Sequence, residues 1–362
     1  MNNLLTIGFV LCLFLFGCQN ELDTQSPIIG VKIYNTQSNY QGLVEEWNDL
    51  GINTALVSVD LAYDRSFRTL TSKNDIQVFI ILPIFFNSEV LQENSDWYAI
   101  DQNGNRAREE WVEFVSPSND VYRKQKIDFI KKVIRETRPD GISIDFIRYF
   151  AYWEKIYEDG SFSSIPNTSF DSLSLAAFQS DMNFQIPDTL QAISQKANWI
   201  LENHEMSWTN WKCKNITSMV EDIVESAKFI DSNLQINLHA VPWRNGDFNG
   251  AIKKIVGQDF AQLGHYADFI SPMCYSHMLK KEPGWVSSVV EDLKLQSNGS
   301  AILPSIQVKE AYLSHPLTNK EFEQNIISAL EPPSEGVVLW SWEHLMDSPA
   351  KKEILKKMTG AL

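Results

Sequence analysis

The sequence predicts a single (β/α)₈ barrel with long loops after its third and fourth strands. Three observations carry that expectation. Eight short runs rich in β-branched and aromatic residues follow residue 27. Each is nearly continuous in apolar residues, as strands buried on both faces are. Most are separated by polar stretches of helical periodicity, the alternation that gives parallel pairing. Eight such units suggest closure, although an open eight-stranded sheet fits the same pattern. A length of 362 residues, 44% hydrophobic, is ample for one large core with insertions.

The elements follow in order. Leu4 to Phe16 form an apolar run too short to span a bilayer comfortably, ending at Gly17 before Cys18. The run looks like a bacterial lipoprotein signal over residues 1–17, with Cys18 as the lipidated residue and 18–27 as a short linker. The acidic "QNELD" after Cys18 resembles a surface-export signal of Bacteroidetes lipoproteins. The barrel domain then occupies 28–362. Its strands read "IIGVKIYN" from Ile28, "GINTALVSVD" from Gly51, "IQVFIILPIFFN" from Ile76 and "GISIDFIRY" from Gly141. The second half reads "QINLHAVPW" from Gln235, "DFISPMCYS" from Asp268, "AILPSIQV" from Ala301 and "GVVLWSWE" from Gly336.

Helices are legible between them. "NYQGLVEEWNDLG" stops at Gly51, and the stretch from Ser116 to Gly141 opens with Ser and Asn and closes on basic residues, Pro139 and Gly141. "SMVEDIVESAKFID" precedes the fifth strand. The loop from about Ser88 to Phe114 carries turn chemistry in "WYAIDQNGN", and a helical insertion fills about 150–211. Both loops leave C-terminal strand ends, where barrel enzymes place their sites.

Composition narrows the function. The formal net charge of -15 disfavours a nucleic-acid partner. Beyond the leader only Cys213 and Cys274 remain, without metal-site spacing, and a bridge between them stays open. "VKIYN" on the first strand lacks the His-x-His of amidohydrolase-type metal sites and "NGDFNG" lacks a P-loop lysine, so neither a metal nor a cofactor is expected. The lipid would be the sole membrane anchor, placing a monomer in the outer membrane, periplasmic or surface-exposed.

A barrel gathers its strand ends into one mouth. The candidates there are Tyr34, Asp60, Asn87, Asp145, Arg148, Tyr149, His239, Trp243, Tyr275, His277, Gln307, Glu310, Trp340, Trp342 and Glu343. Aromatic faces stack on sugar C–H faces while carboxylates and amides bond hydroxyls, so sugar chemistry is the natural reading. Asp145 interrupts an apolar strand on the face shared by Ser143, which suits a nucleophile or base, with Arg148 keeping it ionised. A structural Asp145–Arg148 pair is the alternative. A second carboxyl is needed as acid; Glu343 ranks first and Glu310 second, with Glu154 and Asp60 behind. Trp243, Trp340 and Trp342 are candidate sugar platforms, and His239 and His277 either bond hydroxyls or are satisfied near the core.

"DGISIDFIRYF", "FVSPSNDVYR" and "GQDFAQLGHYADFISPMCYSHM" resemble the glycoside hydrolase-like family ten domain, as does the Trp-x-x-Trp-Lys pattern in "SWTNWKCKNITSMVEDI". The resemblance implies a (β/α)₈ fold, glycosidic bond hydrolysis and Asp145 as the fourth-strand carboxylate. The family's proline after the Arg-Tyr pair is replaced by Phe150. The expectation is a glycosidase acting on a polysaccharide or glycan. A glycan-binding lipoprotein without catalysis is the alternative.

Overall fold

The computed structural model describes residues 26–158 and 165–360. The proposed signal peptide, Cys18 and most of the linker lie outside the described residues.

The strands are β1 (Ile28–Ile33), β2 (Thr54–Val57), β3 (Gln77–Pro83), β4 (Gly141–Asp145), β5 (Gln235–Ala240) and β6 (Phe269–Pro272). Two runs, Ala301–Ile302 and Ser305–Gln307, form β7, and Gly336–Trp340 forms β8. Every neighbouring pair is parallel, β1 through β6 in chain order. The ring closes through β7: its first run pairs with β6, its second with β8, and β8 pairs with β1. Pro304 lies between the two runs of β7 and has no N–H for the ladder. This is a (β/α)₈ barrel, as the sequence predicts.

Alternation along the strands separates two apolar regions. Leu56, Phe79, Ile81, Leu303 and Val338 fill the barrel interior, whereas Ile142, Ile144, Ile236 and Leu238 belong to the larger core between sheet and helices. Gly141 makes the interior packing possible, because a Cβ there would lie 2.3 Å from the Phe79 ring. Caps fix the helix entries: Asn119 accepts from the Tyr122 N–H at 3.0 Å, and Gly51 (φ 71°) follows the end of Tyr40–Asp49.

The insertion differs from expectation at its far end. Glu205–Ile230 is one 26-residue helix, so the boundary near Trp211 falls inside it. No Gly or Pro interrupts that span. Trp208 and Trp211 stack at 5.0 Å within a separate apolar cluster with Phe170, Phe178 and Ile200. Lys212 is buried beside it, donating to Asn167 Oδ1 and the Lys254 and Ile255 carbonyls at 2.8–3.0 Å. Cys213 and Cys274 are free, buried thiols.

Candidate active site

Asp145 is the last residue of β4, in register with Pro83 of β3. Phe146 has φ 49°, so strand alternation ends there and the chain turns outward. The Phe146 N–H donates to Asp145 Oδ1 at 2.7 Å, and Oδ2 lies 3.6 Å from His239 Nδ1. The Asp145 side chain is 14% exposed. It therefore opens into the mouth rather than being sealed below it. Beneath it, Asn237 donates to Ser143 Oγ at 2.7 Å and accepts from Ser271 Oγ at 2.8 Å, a satisfied polar layer inside the barrel.

A buried lysine from β1 completes this centre. Lys32 Nζ donates to Tyr275 Oη at 3.2 Å and meets His239 Nδ1 at 3.3 Å. Burial lowers the Lys32 amine to about 8, opposed by the Asp145 charge. Burial, and next the Lys32 charge, push the His239 imidazole down to about 3 despite Asp145, so the ring is neutral. With Lys32 donating to Nδ1, the ring proton belongs on Nε2. That atom is buried without a partner among the described residues.

The second carboxyl of the centre is Glu154, in the short helical turn Trp153–Lys155 of the β4 loop. It is 8% exposed. Burial raises its carboxyl to about 7, with Arg148 opposing and Asp145 adding to the rise. Its Oε2 is buried without a partner among the described residues. Trp153 leans on Tyr275 at 5.9 Å, and Tyr275 stacks on Trp340 at 4.5 Å, so aromatic rings surround this part of the mouth.

The other candidates divide. Arg148 is buried, donates to the Tyr149 and Ala151 carbonyls, lies over the Phe114 and Phe146 rings, and acts electrostatically on both carboxyls. It makes no ion pair with Asp145 within 4 Å, so the strand-stapling alternative lacks its contact. Glu343 Oε1 accepts the Tyr34 and Asn35 N–H bonds at 2.7 and 3.0 Å, fastening the β1 loop, while Oε2 is buried and has no partner among the described residues. The Tyr34 hydroxyl is raised by burial, then by Asp145 and Glu343, although the residue is partly exposed.

Several expectations need correction. Glu310 is held below the usual carboxylate range by its own backbone N–H, with Leu317 N–H assisting, which suits an ion and not an acid. Tyr149 faces the outer helices and accepts from Asn215, because the turn at Phe146 reverses the alternation. Trp342 is a core residue, edge-on to Trp47 at 5.7 Å. Trp243 is buried, but it lines a side pocket. His277 bonds Glu321 and the His315 carbonyl, and Gln307 braces the Met278 N–H and the Lys309 carbonyl. Asn87 caps Ser88–Glu93, and Asp60 is exposed in the first turn of Val59–Tyr63.

Lys32 and the rim aromatics Phe86, Trp111, Phe146 and Tyr152 were not among the candidates that the sequence offered. Phe86 stacks on Phe146 at 4.8 Å, Trp111 packs edge-on against both, and Tyr152 lies 6.0 Å from Tyr312. Trp111 Nε1 donates to Tyr312 Oη at 2.9 Å, and Tyr152 Oη to Glu110 at 2.7 Å. The loops after β3, β4 and β7 thus meet above the mouth. A groove of about 890 Å³ is lined by Arg65, Lys73, Arg138 and Asp140 beside the starts of β3 and β4, and holds none of the candidates.

No protein-family model matches the chain, and no curated protein matches it. Solved structures do. The PgaB (BpsB) glycoside hydrolase domain from Bordetella bronchiseptica superposes with a TM-score of 0.69 at 11% identity, covering 92% of this chain and 99% of that one. A β-galactosidase from the psychrophilic Marinomonas ef1 gives 0.67 at 10% identity, covering 92% of this chain and 59% of its own. α-L-Fucosidase isoenzyme 2 from Paenibacillus thiaminolyticus gives 0.60 at 11%, covering 93% and 49%. Agreement at such identities is one of fold.

Proposed function

We propose that this chain is a glycoside hydrolase in which Asp145 is the nucleophile or general base and Glu154 the general acid. The observation that carries the reading is the contrast between the carboxyl that ends β4 and a buried carboxyl in the loop that follows it. Asp145 is partly exposed and hydrogen-bonded by an N–H, whereas Glu154 is buried and raised to about 7. A protonated acid beside an open carboxylate is what glycosidic cleavage requires. Glu154 would protonate the departing glycosidic oxygen while Asp145 attacks the anomeric carbon or takes the proton of the attacking water. Lys32 donates to His239 Nδ1 and so holds the buried ring in its Nε2–H tautomer beside Asp145. Trp111 and Tyr312, over 40% exposed on the rim, offer ring faces to the substrate. Likeness to glycosidase barrels supports the same reading, as do the fourth-strand motifs that resemble glycoside hydrolase-like family ten.

The acid assignment has a direct test. Glu154→Gln should lose hydrolysis of natural glycans while retaining much of it on dinitrophenyl glycosides, whose leaving group needs no proton. Equal loss on both substrate types would remove Glu154 from the role. A lipid-anchored location through Cys18, with a carbohydrate as partner, remains part of the proposal.

A further inference from the structure

The candidate site uses one end of the barrel. At the other end lie the strand starts, the last turns of the helices that lead into them, and the point where the chain enters β1 at Ile28. Cys18 stands ten residues before Ile28, a span of at most about 35 Å even when fully extended. A lipid on Cys18 would therefore hold the strand-start end close to a bilayer.

That end carries the two most exposed large apolar side chains among the described residues. Phe229 and Leu295 are each 88% exposed. Each is the next-to-last residue of its helix, Glu205–Ile230 before β5 and Trp285–Gln296 before β7, so both stand at strand starts. Each directly follows a lysine, Lys228 or Lys294. An apolar side chain left in water gives up the gain of burial, which a bilayer interface returns.

The groove of about 890 Å³ beside the starts of β3 and β4 adds charge to the same end. Its Arg65, Lys73 and Arg138 are exposed and have no ion pair among the described residues. Lys73 ends the helix Arg65–Lys73 and Arg138 follows Asp120–Thr137, positions that suit the helix dipoles. Arg65 opens its helix, the wrong end for that explanation. Carboxylates nearby are mostly engaged: Asp140 accepts the Val78 N–H at 2.8 Å, Asp49 pairs with Lys356 at 2.6 Å and Asp268 with Lys228 at 3.6 Å. Of the two carboxylates that line the groove, Asp75 alone has no such bond among the described residues.

This chemistry favours a lipid surface over a protein partner. A protein interface buries a contiguous apolar centre, whereas Phe229 and Leu295 stand apart, at the starts of strands on either side of β6. A bilayer takes up separate apolar side chains while neighbouring cations meet phosphate. In a chain of net charge -15, three unpaired cations at the tethered end match an anionic headgroup. No helix among the described residues is long and apolar enough to cross a membrane, so the contact is peripheral.

We infer that the strand-start end of the barrel is a membrane-docking face, with Phe229 and Leu295 set among headgroups and the Arg65, Lys73 and Arg138 groove on lipid phosphate. The inference rests on the lipid-anchor part of the proposed function. It turns the mouth away from the lipid, toward glycans arriving from solution.

The test is hydrogen exchange of the full chain, expressed in bacteria, on phosphatidylcholine vesicles with and without phosphatidylglycerol. Wild type is compared with Phe229→Ser plus Leu295→Ser, and with Arg65→Gln plus Lys73→Gln plus Arg138→Gln. All three proteins carry the same N-terminus, so a difference between them reports the face and not the anchor. Backbone amides of 229–234 and 295–300 should exchange about tenfold more slowly in wild type than in the first variant, with no slowing at Trp111 or Tyr312. The second variant should lose the added slowing that phosphatidylglycerol gives wild type. Equal exchange in wild type and the first variant, or slowing at the mouth rim instead, overturns docking. If intact mass shows Cys18 without lipid, the anchor reading fails by itself. The same comparison at saturating lipid then decides docking: slower exchange in wild type upholds it, and equal exchange overturns it.

Discussion

Replacing Glu154 by Gln changes one buried proton-binding group and little else in shape. In the fold the carboxyl is raised to about 7 from an ordinary 4.5. Between those values the folded protein holds a proton that the unfolded chain has lost, so wild-type stability falls as pH rises through that window. The Gln side chain has no such dependence. At about 1.4 kcal/mol per pH unit, the advantage of Glu154→Gln should grow from roughly 1 kcal/mol near pH 5 to roughly 3 kcal/mol near pH 8. Urea unfolding of both proteins across that range measures it. A pH-independent difference would mean that Glu154 is solvated or firmly ion-paired, and the acid assignment would lose its physical basis.

Other outcomes follow from the same site and its supports. Lys32→Met should cut kcat/KM by at least about tenfold, since His239 and Tyr275 lose their shared donor. Its stability relative to wild type should decline between about pH 8 and 10, because the wild-type amine, lowered to about 8, sheds its buried charge there. Trp342→Ala should cost about 3–5 kcal/mol in unfolding free energy while leaving glycan affinity of the folded protein unchanged, as fits a ring packed on Trp47. Lys212→Met should destabilise by about 1–3 kcal/mol, because the Lys254 and Ile255 carbonyls and the Asn167 amide lose their common donor. Protease sensitivity near Asn167 would report the loosened insertion.

The barrel was legible because parallel strands buried on both faces leave unbroken apolar runs, and because Asn119 and Gly51 mark helix ends by local chemistry. Asp145 was legible as a charge inside such a run. Lys32 interrupts "IIGVKIYN" in the same way and could have been found by the same signal. Glu154 could not be ranked above Glu343 and Glu310. It sits in "AYWEKIYEDG", a charged loop stretch whose composition does not show that the fold leaves this carboxyl only 8% exposed. Trp340 and Trp342 are two residues apart in sequence, but the strand ends at Trp340 and a helix begins at Trp342, which sends one ring to the mouth and the other to the core.

The most direct test of the central claim is reducing-sugar release from a panel of plant, algal and host glycans by the protein, with Asp145→Asn beside it. Cleavage of at least one glycan, reduced by at least about a thousandfold in Asp145→Asn while the variant still binds it, is the predicted result. Cleavage that survives in Asp145→Asn, or binding by both forms without cleavage by either, would contradict the account and make Asp145 a structural carboxylate.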